Sequence, residues 1–367
     1  MQYLLVTGIY PPEIGGPARV IFDTAERLRA ESSAVTIITY GKETDSASQI
    51  IRVSRSGNSL MRYLRMATAI RAQLKPETVL VATDVFSVGI PARLALIGKK
   101  NRFLLRLGGE WAWEDAITKG RFFGTLRNFW KQRFGIRAWI EQKNYQWITK
   151  RVQTVFVTSS FLGDILSESV GISKNKIQLA ENQTSFEAQP HPIDPNKPLG
   201  FLYIGRFAPV KNVVFLAKVL RACEQLGLTF RATLIGDGPD LPQIQRILEG
   251  SNMITLQPSV DRTGVVRAFA QHDVFVLPSL SDICPNAVLE ALANGLPCLI
   301  TSEHGLHKPL AGTVELDPED EQAWKDMLKK WIENPAEIRS LAEQIQSQKT
   351  PSTPSFAKLL ISFAQAK

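Results

Sequence analysis

From Asp273 the sequence runs Val-Phe-Val-Leu277-Pro278-Ser-Leu-Ser-Asp282-Ile-Cys-Pro285-Asn286-Ala-Val-Leu-Glu290-Ala-Leu-Ala-Asn-Gly295-Leu-Pro297, and a second apolar run follows at Cys298–Thr301. A short apolar stretch closed by a proline reads as a buried parallel strand. After a polar loop, Pro285 stands where the first turn of a helix tolerates a missing N–H, and Gly295 and Pro297 stop that helix. Strand, loop, helix, strand confines the chain to a parallel α/β sheet, whose carbonyl-end edge is where ligands bind. That edge carries two carboxylates, Asp282 in the loop and Glu290 in an otherwise apolar helix where an unpaired charge is costly. The amides of Asn286, Ala287 and Val288 form an anion seat at the helix start. Acids beside an anion seat suit a ligand with both phosphate and hydroxyl groups, such as a nucleotide sugar.

The same alternation fills the rest of the chain. Gln2–Thr7 reads as a first strand, followed by a turn-rich loop with Gly15 and Gly16 and a helix from Pro17 to about Ala30. No Gly-x-Gly-x-x-Gly is present and no acid ends the second strand, Val35–Thr39, which argues against a nicotinamide cofactor. Adjacent glycines at a helix start let a phosphate or sugar approach the backbone closely. Further strands read at Ile50–Val53, Val79–Ala82, Phe103–Arg106 and Val152–Val157, with helices at Leu60–Leu74 and Phe86–Ile97 between them. Gln189–Pro198, with four prolines in ten residues, reads as a linker.

Beyond it, strand Gly200–Ile204 leads through Arg206 and Lys211 to a helix over Val213–Leu226. Two cations then converge on a helix N-terminus, which describes a diphosphate site. Ala232–Ile235 followed by Gly236-Asp-Gly-Pro repeats the strand–turn–helix pattern, and Met253–Leu256 is the next strand. Asp261 suits a helix cap, as do Asp317 before Pro318 and Asn334 before Pro335. His272 reads as structural, and Ser355–Gln365 as a terminal amphipathic helix.

Composition narrows the class. The 367 residues suffice for two domains, and no run of about 18 apolar residues predicts a membrane-spanning helix. The chain opens on a strand pattern rather than a signal peptide, and three cysteines at unrelated spacings form neither a disulfide framework nor a zinc motif. A reducing cytoplasm is the expectation. The net charge of +8 is uneven: residues 1–185 hold 26 Lys and Arg against 15 Asp and Glu, and the remainder 17 against 20. The basicity belongs chiefly to residues 51–151, and five of the seven tryptophans lie within 108–151. Interleaved basic and aromatic residues suit an anionic membrane surface or a lipid-linked acceptor, or equally two amphipathic helices packing their tryptophans inward.

Several of these motifs resemble those of glycosyltransferase family 4, retaining transferases of the GT-B fold. Asp282-x7-Glu290 has the spacing of the family's Glu-x7-Glu, with Asp in the first place. Gly205-Arg206 to Lys211-Asn212 resembles its Gly-Arg-x4-Lys-Asn, Tyr10-Pro-Pro to Gly15-Gly16 its opening loop, and Gly236-Asp-Gly-Pro its Ile-Gly-x-Gly-Pro. The resemblance implies two Rossmann-like doubly wound parallel-sheet domains facing each other across a cleft. They would be residues 1–186, a linker at 187–198 and residues 199–350, with a C-terminal helix crossing back to the first domain. It further implies transfer of a sugar from a nucleoside-diphosphate sugar to a hydroxyl acceptor, with no metal, no cofactor and no nucleic acid. Arg206, Lys211, Asp282 and Glu290 would carry catalysis. Gly15, Gly16 and the amides of Asn286, Ala287 and Val288 would join the two cations at the diphosphate, and Gly236, Val260 and Glu290 would hold the nucleoside. The family's sugar-contacting histidine has no counterpart, since His191, His272, His304 and His307 all lie beyond residue 190; Glu110 and Asp115 occupy its neighbourhood as candidate sugar or acceptor contacts. The other readings are a nucleotide-sugar epimerase of the same fold, or a non-enzymatic basic protein binding membrane or nucleic acid.

Overall fold

The computed structural model describes residues 1–13, 16–41, 49–132, 135–181, 193–194, 196–306, 310–347 and 355–365; the side chains of 16, 17, 135–137 and 347 are not described. The chain divides into two compact units. The first comprises Met1–Ala112, Trp130–Gln183 and Thr353–Lys367, and the second Trp113–Phe129 and Thr184–Ser352.

The first unit is built on a seven-stranded sheet: β1 (Gln2–Thr7), β2 (Ala34–Tyr40), β3 (Ile50–Val53), β4 (Thr78–Ala82), β5 (Arg102–Leu107), β6 (Thr154–Val157) and β7 (Ile177–Leu179). Their order is β3-β2-β1-β4-β5-β6-β7, with every pair parallel. Reversal of strand order beside β1 is the doubly wound arrangement. Continuous apolar runs such as Leu4–Val6 and Val79–Ala82 are buried because helices cover both faces. The terminal helix Phe356–Gln365 joins this core: Tyr3 Oη donates to Leu360 O at 3.3 Å, and Phe156 meets Phe356 edge-on. Val152 belongs to the end of the preceding loop, so β6 begins at Thr154, two residues later than its apolar pattern suggests.

The second sheet has six strands: β8 (Gly200–Ile204), β9 (Arg231–Ile235), β10 (Ile254–Gln257), β11 (Val274–Leu277), β12 (Cys298–Thr301) and β13 (Thr313–Leu316), ordered β10-β9-β8-β11-β12-β13 and again all parallel. Asp261 caps its helix as expected, accepting from Gly264 N at 2.8 Å. Asp317 does not cap the next one. It accepts from Glu319 N at 2.9 Å in a turn, and Asp320 caps helix Glu321–Glu333 through Ala323 N at 3.0 Å. Among the described residues no helix is long and apolar enough to cross a membrane.

Candidate active site

Because the second sheet is parallel, the loops after β8, β9, β11 and β12 all leave at one edge. They are bonded to one another there. Gly205 N donates to Ile235 O at 3.0 Å, Phe207 N to Asp237 O at 2.8 Å, and Leu280 N to Val210 O at 3.0 Å. Gly236 and Gly238 permit this contact: a Cβ on Gly236 would stand 1.9 Å from Gly205 O, and one on Gly238 2.3 Å from Phe207 O. Gly236, which the sequence offered to a nucleoside, is therefore already required by a neighbouring loop.

Lys211 and Asp282 meet at this edge, Nζ to Oδ2 at 2.6 Å, with the acid buried and the ammonium partly open to solvent. The turn that presents Lys211 ends at Asn212, in the left-handed conformation (φ 56°) that asparagine adopts more readily than most residues. Asn212 Nδ2 fixes the turn by donating to Pro318 O at 3.1 Å. Asp282 is gripped through its backbone, its N–H donating to Glu303 O at 2.8 Å and its carbonyl accepting from Gly305 N at 2.9 Å. His304, in the middle of that grip, is buried; its Nδ1 accepts from Leu306 N at 3.1 Å, which leaves the proton on Nε2, 3.0 Å from Glu315 Oε1. The ring is thus a neutral spacer beneath Asp282. Arg206 is exposed, and its carbonyl accepts from Tyr203 Oη at 3.1 Å. Burial first, then the charge of Asp282, raises the Tyr203 phenol well above its ordinary range, so it stays a neutral donor.

One further acid belongs to this group. Residues 113–129 come from between β5 and β6 in the sequence, yet they are part of the second unit. Leu126 N donates to Ser281 Oγ at 2.9 Å, Arg127 Nε reaches Glu303 Oε1 at 3.4 Å, and Trp113 Nε1 closes the segment on itself at Gly124 O, 3.0 Å away. The segment so held carries Glu114 into the field of Lys211, Arg206 and Asp282. Burial raises its pKa, Lys211 and Arg206 pull it down, and Asp282 pushes it up, leaving it above the ordinary carboxylate value. The cluster is therefore two cations and two acids, and one of the acids, Glu114, is not among those the sequence motifs supplied.

The remaining expected residues fall into three groups. Glu290 is half-buried in helix Asn286–Ala293, and among the described residues no hydrogen bond or ion pair joins it to Lys211 or Asp282. At the start of that helix Asn286 N donates to Cys284 O at 2.9 Å and Val288 N to Pro285 O at 3.0 Å. Two of the three amides expected to seat an anion are thus taken by the tight turn at Pro285, and Ala287 alone keeps that expectation. Val260 is exposed at the same sheet edge, just before the Asp261 cap.

Glu110 and Asp115 depart from expectation. Glu110, in the first unit, is fully buried; its Oε1 accepts from Tyr145 Oη at 2.7 Å and from Ala112 N at 3.3 Å, opening helix Trp111–Thr118. Asp115 is ion-paired to Lys119 at 2.7 Å and to Arg121. Burial raises its pKa, but hydrogen bonding to Lys119 and the charges of both cations outweigh that and hold it below the ordinary value. Both acids are thus already engaged by neighbouring side chains. Gly15 lies outside the described residues, as do His191 and His307, and Gly16 opens helix Gly16–Ala30. His272 is structural: Nδ1 lies 2.7 Å from Ala268 O and Nε2 2.8 Å from Thr233 Oγ1.

Residues 198–334, which hold all of this cluster except Glu114, match the family described as Glycosyl transferases group 1. The chain is 35% identical over 103 residues to the putative glycosyltransferase EpsF of Bacillus subtilis strain 168, covering 27% of this chain and 26% of that protein. It is 24% identical over 191 residues to the putative colanic acid biosynthesis glycosyltransferase WcaL of Escherichia coli K12, covering 48% and 43%. The chain thus spans less than half the length of these curated relatives. Its fold is shared nearly end to end with the lipopolysaccharide outer core galactosyltransferase WaaB, at a TM-score of 0.69 and 18% identity over 99% of both chains. The sucrose-phosphate synthase of Thermosynechococcus elongatus shares it at a TM-score of 0.72 and 16% identity over 100% of this chain and 98% of that one.

Proposed function

We propose that this chain, which carries a group 1 glycosyl transferase domain over residues 198–334 on two Rossmann-like units of the GT-B fold, is a retaining glycosyltransferase. It moves a sugar from a nucleoside-diphosphate sugar to a hydroxyl of a glycan or lipid-linked acceptor. The observation that carries the reading is the Lys211–Asp282 pair at 2.6 Å, with exposed Arg206 beside it. The bond from the sugar's anomeric carbon to the diphosphate oxygen breaks, and a bond to the acceptor oxygen forms on the same face. The acceptor's proton leaves with the diphosphate. Lys211 and Arg206 offset the charge growing on that leaving group, with no metal needed for the purpose. Once the ammonium turns to phosphate, Asp282 is released to accept from sugar hydroxyls, and Glu290 takes the ribose hydroxyls.

Peripheral contact with an anionic membrane on the cytoplasmic side is the companion reading, on a narrower basis than composition alone. Trp113, Phe122, Phe129, Trp130 and Tyr145 are buried, so core packing accounts for them. Trp139, Ile140 and Trp147 are exposed on helix Gly135–Arg151, with Lys143 5.8 Å from the Trp139 ring and Arg93 5.2 Å from that of Trp147. Cations seated on exposed indoles favour a membrane interface.

Thermal shift against UDP, GDP and ADP sugars tests the enzymatic reading. A true donor at a hundred times its Kd stabilises the fold by about 2.7 kcal/mol, and Lys211→Ala should abolish that response. No response to any of the three in the wild-type protein would remove the reading's basis.

A further inference from the structure

A second concentration of charge lies in the first unit, at the turn from β3 into helix Ser59–Gln73. Residues 49 to 76 contain Arg52, Arg55, Arg62, Arg65, Arg71 and Lys75 and neither Asp nor Glu. Four of these arginines are gathered at the carbonyl-end edge of the sheet. Arg52 Nη2 donates to Pro11 O at 2.5 Å, and Arg55 donates to Gly8 O at 3.0 Å and to both Glu13 oxygens at 2.6 and 3.0 Å. Arg65 folds back over Gly57 (φ 83°) onto the carbonyl of Ser56 and, at 3.1 Å, its hydroxyl.

The phenol of Tyr40 lies close to two of them. The Arg55 guanidinium stands 5.9 Å from its ring centroid, Arg62 lies within electrostatic reach of both Tyr40 and Tyr63, and Tyr40 Oη donates to Ser87 O at 3.0 Å. Burial, then the charge of nearby Asp84, pushes the Tyr40 phenol up to about 12, so it stays a neutral partner among cations. Of these four arginines only Arg55 has a carboxylate partner among the described residues. Arg62 and Arg65 spend bonds on neutral oxygens, the former on Ser59 Oγ at 3.0 Å. Planar guanidinium forks so placed gain most from an anion that accepts two hydrogen bonds side by side, such as phosphate.

Next to them is an apolar surface with no core to join. Leu60, Met61 and Leu64 are 64%, 53% and 54% exposed. Their helical spacing puts them on one face, and Arg62 and Arg65 fall on its flank. A free phosphate would leave these three side chains unaccounted for, and a neutral glycan would answer neither feature. A ligand with a phosphate head and a hydrocarbon tail answers both.

We propose that this corner binds the phosphate of a lipid-carried acceptor, with Arg62 and Arg65 on the phosphate and Leu60, Met61 and Leu64 along the hydrocarbon. The proposal names the acceptor class for the glycosyltransferase reading and rests on it for the word acceptor. The site itself stands on the first unit alone.

The test uses the full chain, with farnesyl diphosphate in non-ionic detergent and inorganic pyrophosphate as probes and calorimetry as readout. Arg62→Ala with Arg65→Ala should weaken farnesyl diphosphate binding about a hundredfold, as loss of two charge-assisted contacts implies. Leu60→Ser with Leu64→Ser should weaken it about tenfold and leave pyrophosphate binding as it was. A wild-type thermal response to nucleoside diphosphates in each variant shows that the protein is folded. Unchanged farnesyl diphosphate affinity in the double arginine variant overturns the site. Pyrophosphate binding as tightly as farnesyl diphosphate, with the leucine variant indifferent, reduces it to a free-phosphate site and overturns the lipid assignment. Arginine-dependent farnesyl diphosphate binding in a protein that answers to no nucleotide would keep the site and discard the glycosyltransferase reading.

Discussion

Replacing Lys211 by alanine perturbs two things at once, and the structure allows them to be separated. The first is stability. Asp282 is 8% exposed and loses a partner at 2.6 Å. Orphaning an acid in a fully buried pair costs about 3–5 kcal/mol. Here the lysine side chain is 29% exposed and Ser279 Oγ still lies 3.4 Å from Asp282 Oδ2, so water and that hydroxyl relieve part of the penalty. A loss of about 1–3 kcal/mol is expected in equilibrium unfolding. The second effect is on the diphosphate. Removing one cation from a developing charge is worth about 3 kcal/mol, or two orders of magnitude in turnover. Adding Asp282→Asn to Lys211→Ala removes the orphaned charge, so stability should return while affinity for the nucleoside diphosphate stays weak. Recovery of that affinity in the double variant would mean that Lys211 only neutralises Asp282 and never touches phosphate, and the proposed mechanism would fail.

Other substitutions probe the surroundings. Gly236→Ala sets a Cβ 1.9 Å from Gly205 O and should cost about 3 kcal/mol, read as a lower denaturant midpoint at unchanged slope. Glu114→Gln takes a negative charge from the field of Lys211 and Arg206 and should tighten nucleoside-diphosphate binding roughly two- to tenfold; unchanged affinity would place Glu114 outside that field. Asp115→Asn should destabilise fully at pH 7. An acid lowered in the fold contributes above its unfolded pKa and loses that contribution as pH falls through its folded one, so the gap from wild type should close below about pH 4. A gap that does not narrow at all as the pH falls through the acid range would show that the Lys119 and Arg121 pairs are not its cause.

Much of the scaffold was readable because parallel strands are buried on both faces and appear as unbroken apolar runs; Val274–Leu277 and Cys298–Thr301 stand where such runs predict. The turn at Arg206 to Lys211 was legible for the same reason, since a basic loop between a buried strand and a helix has only one edge to occupy. β7 escaped because three residues, none of them fully buried, leave little pattern. Glu110 and Asp115 were offered, and Glu114 was not, for a different reason. Helical spacing sorts inward from outward residues but does not say what lies beyond the outward face. One local signal was available: Lys119 follows Asp115 at the four-residue spacing of an ion pair, which it makes. For Glu114 the partners are about 90 or more residues away in sequence, and only tertiary structure brings them near.

The loan of residues 113–129 from one half of the sequence to the other sheet has a practical consequence. A gene cut at the proline-rich stretch would not release two self-sufficient pieces. The C-terminal fragment would lack the strip that satisfies Ser281 and Glu303, and would lack Glu114 altogether. The N-terminal fragment would carry that strip with nothing to fasten it to. Exchange of C-terminal halves between relatives would have to move this strip as well, so a chimera joined at the linker would inherit a mismatched fit beside Lys211 and Asp282.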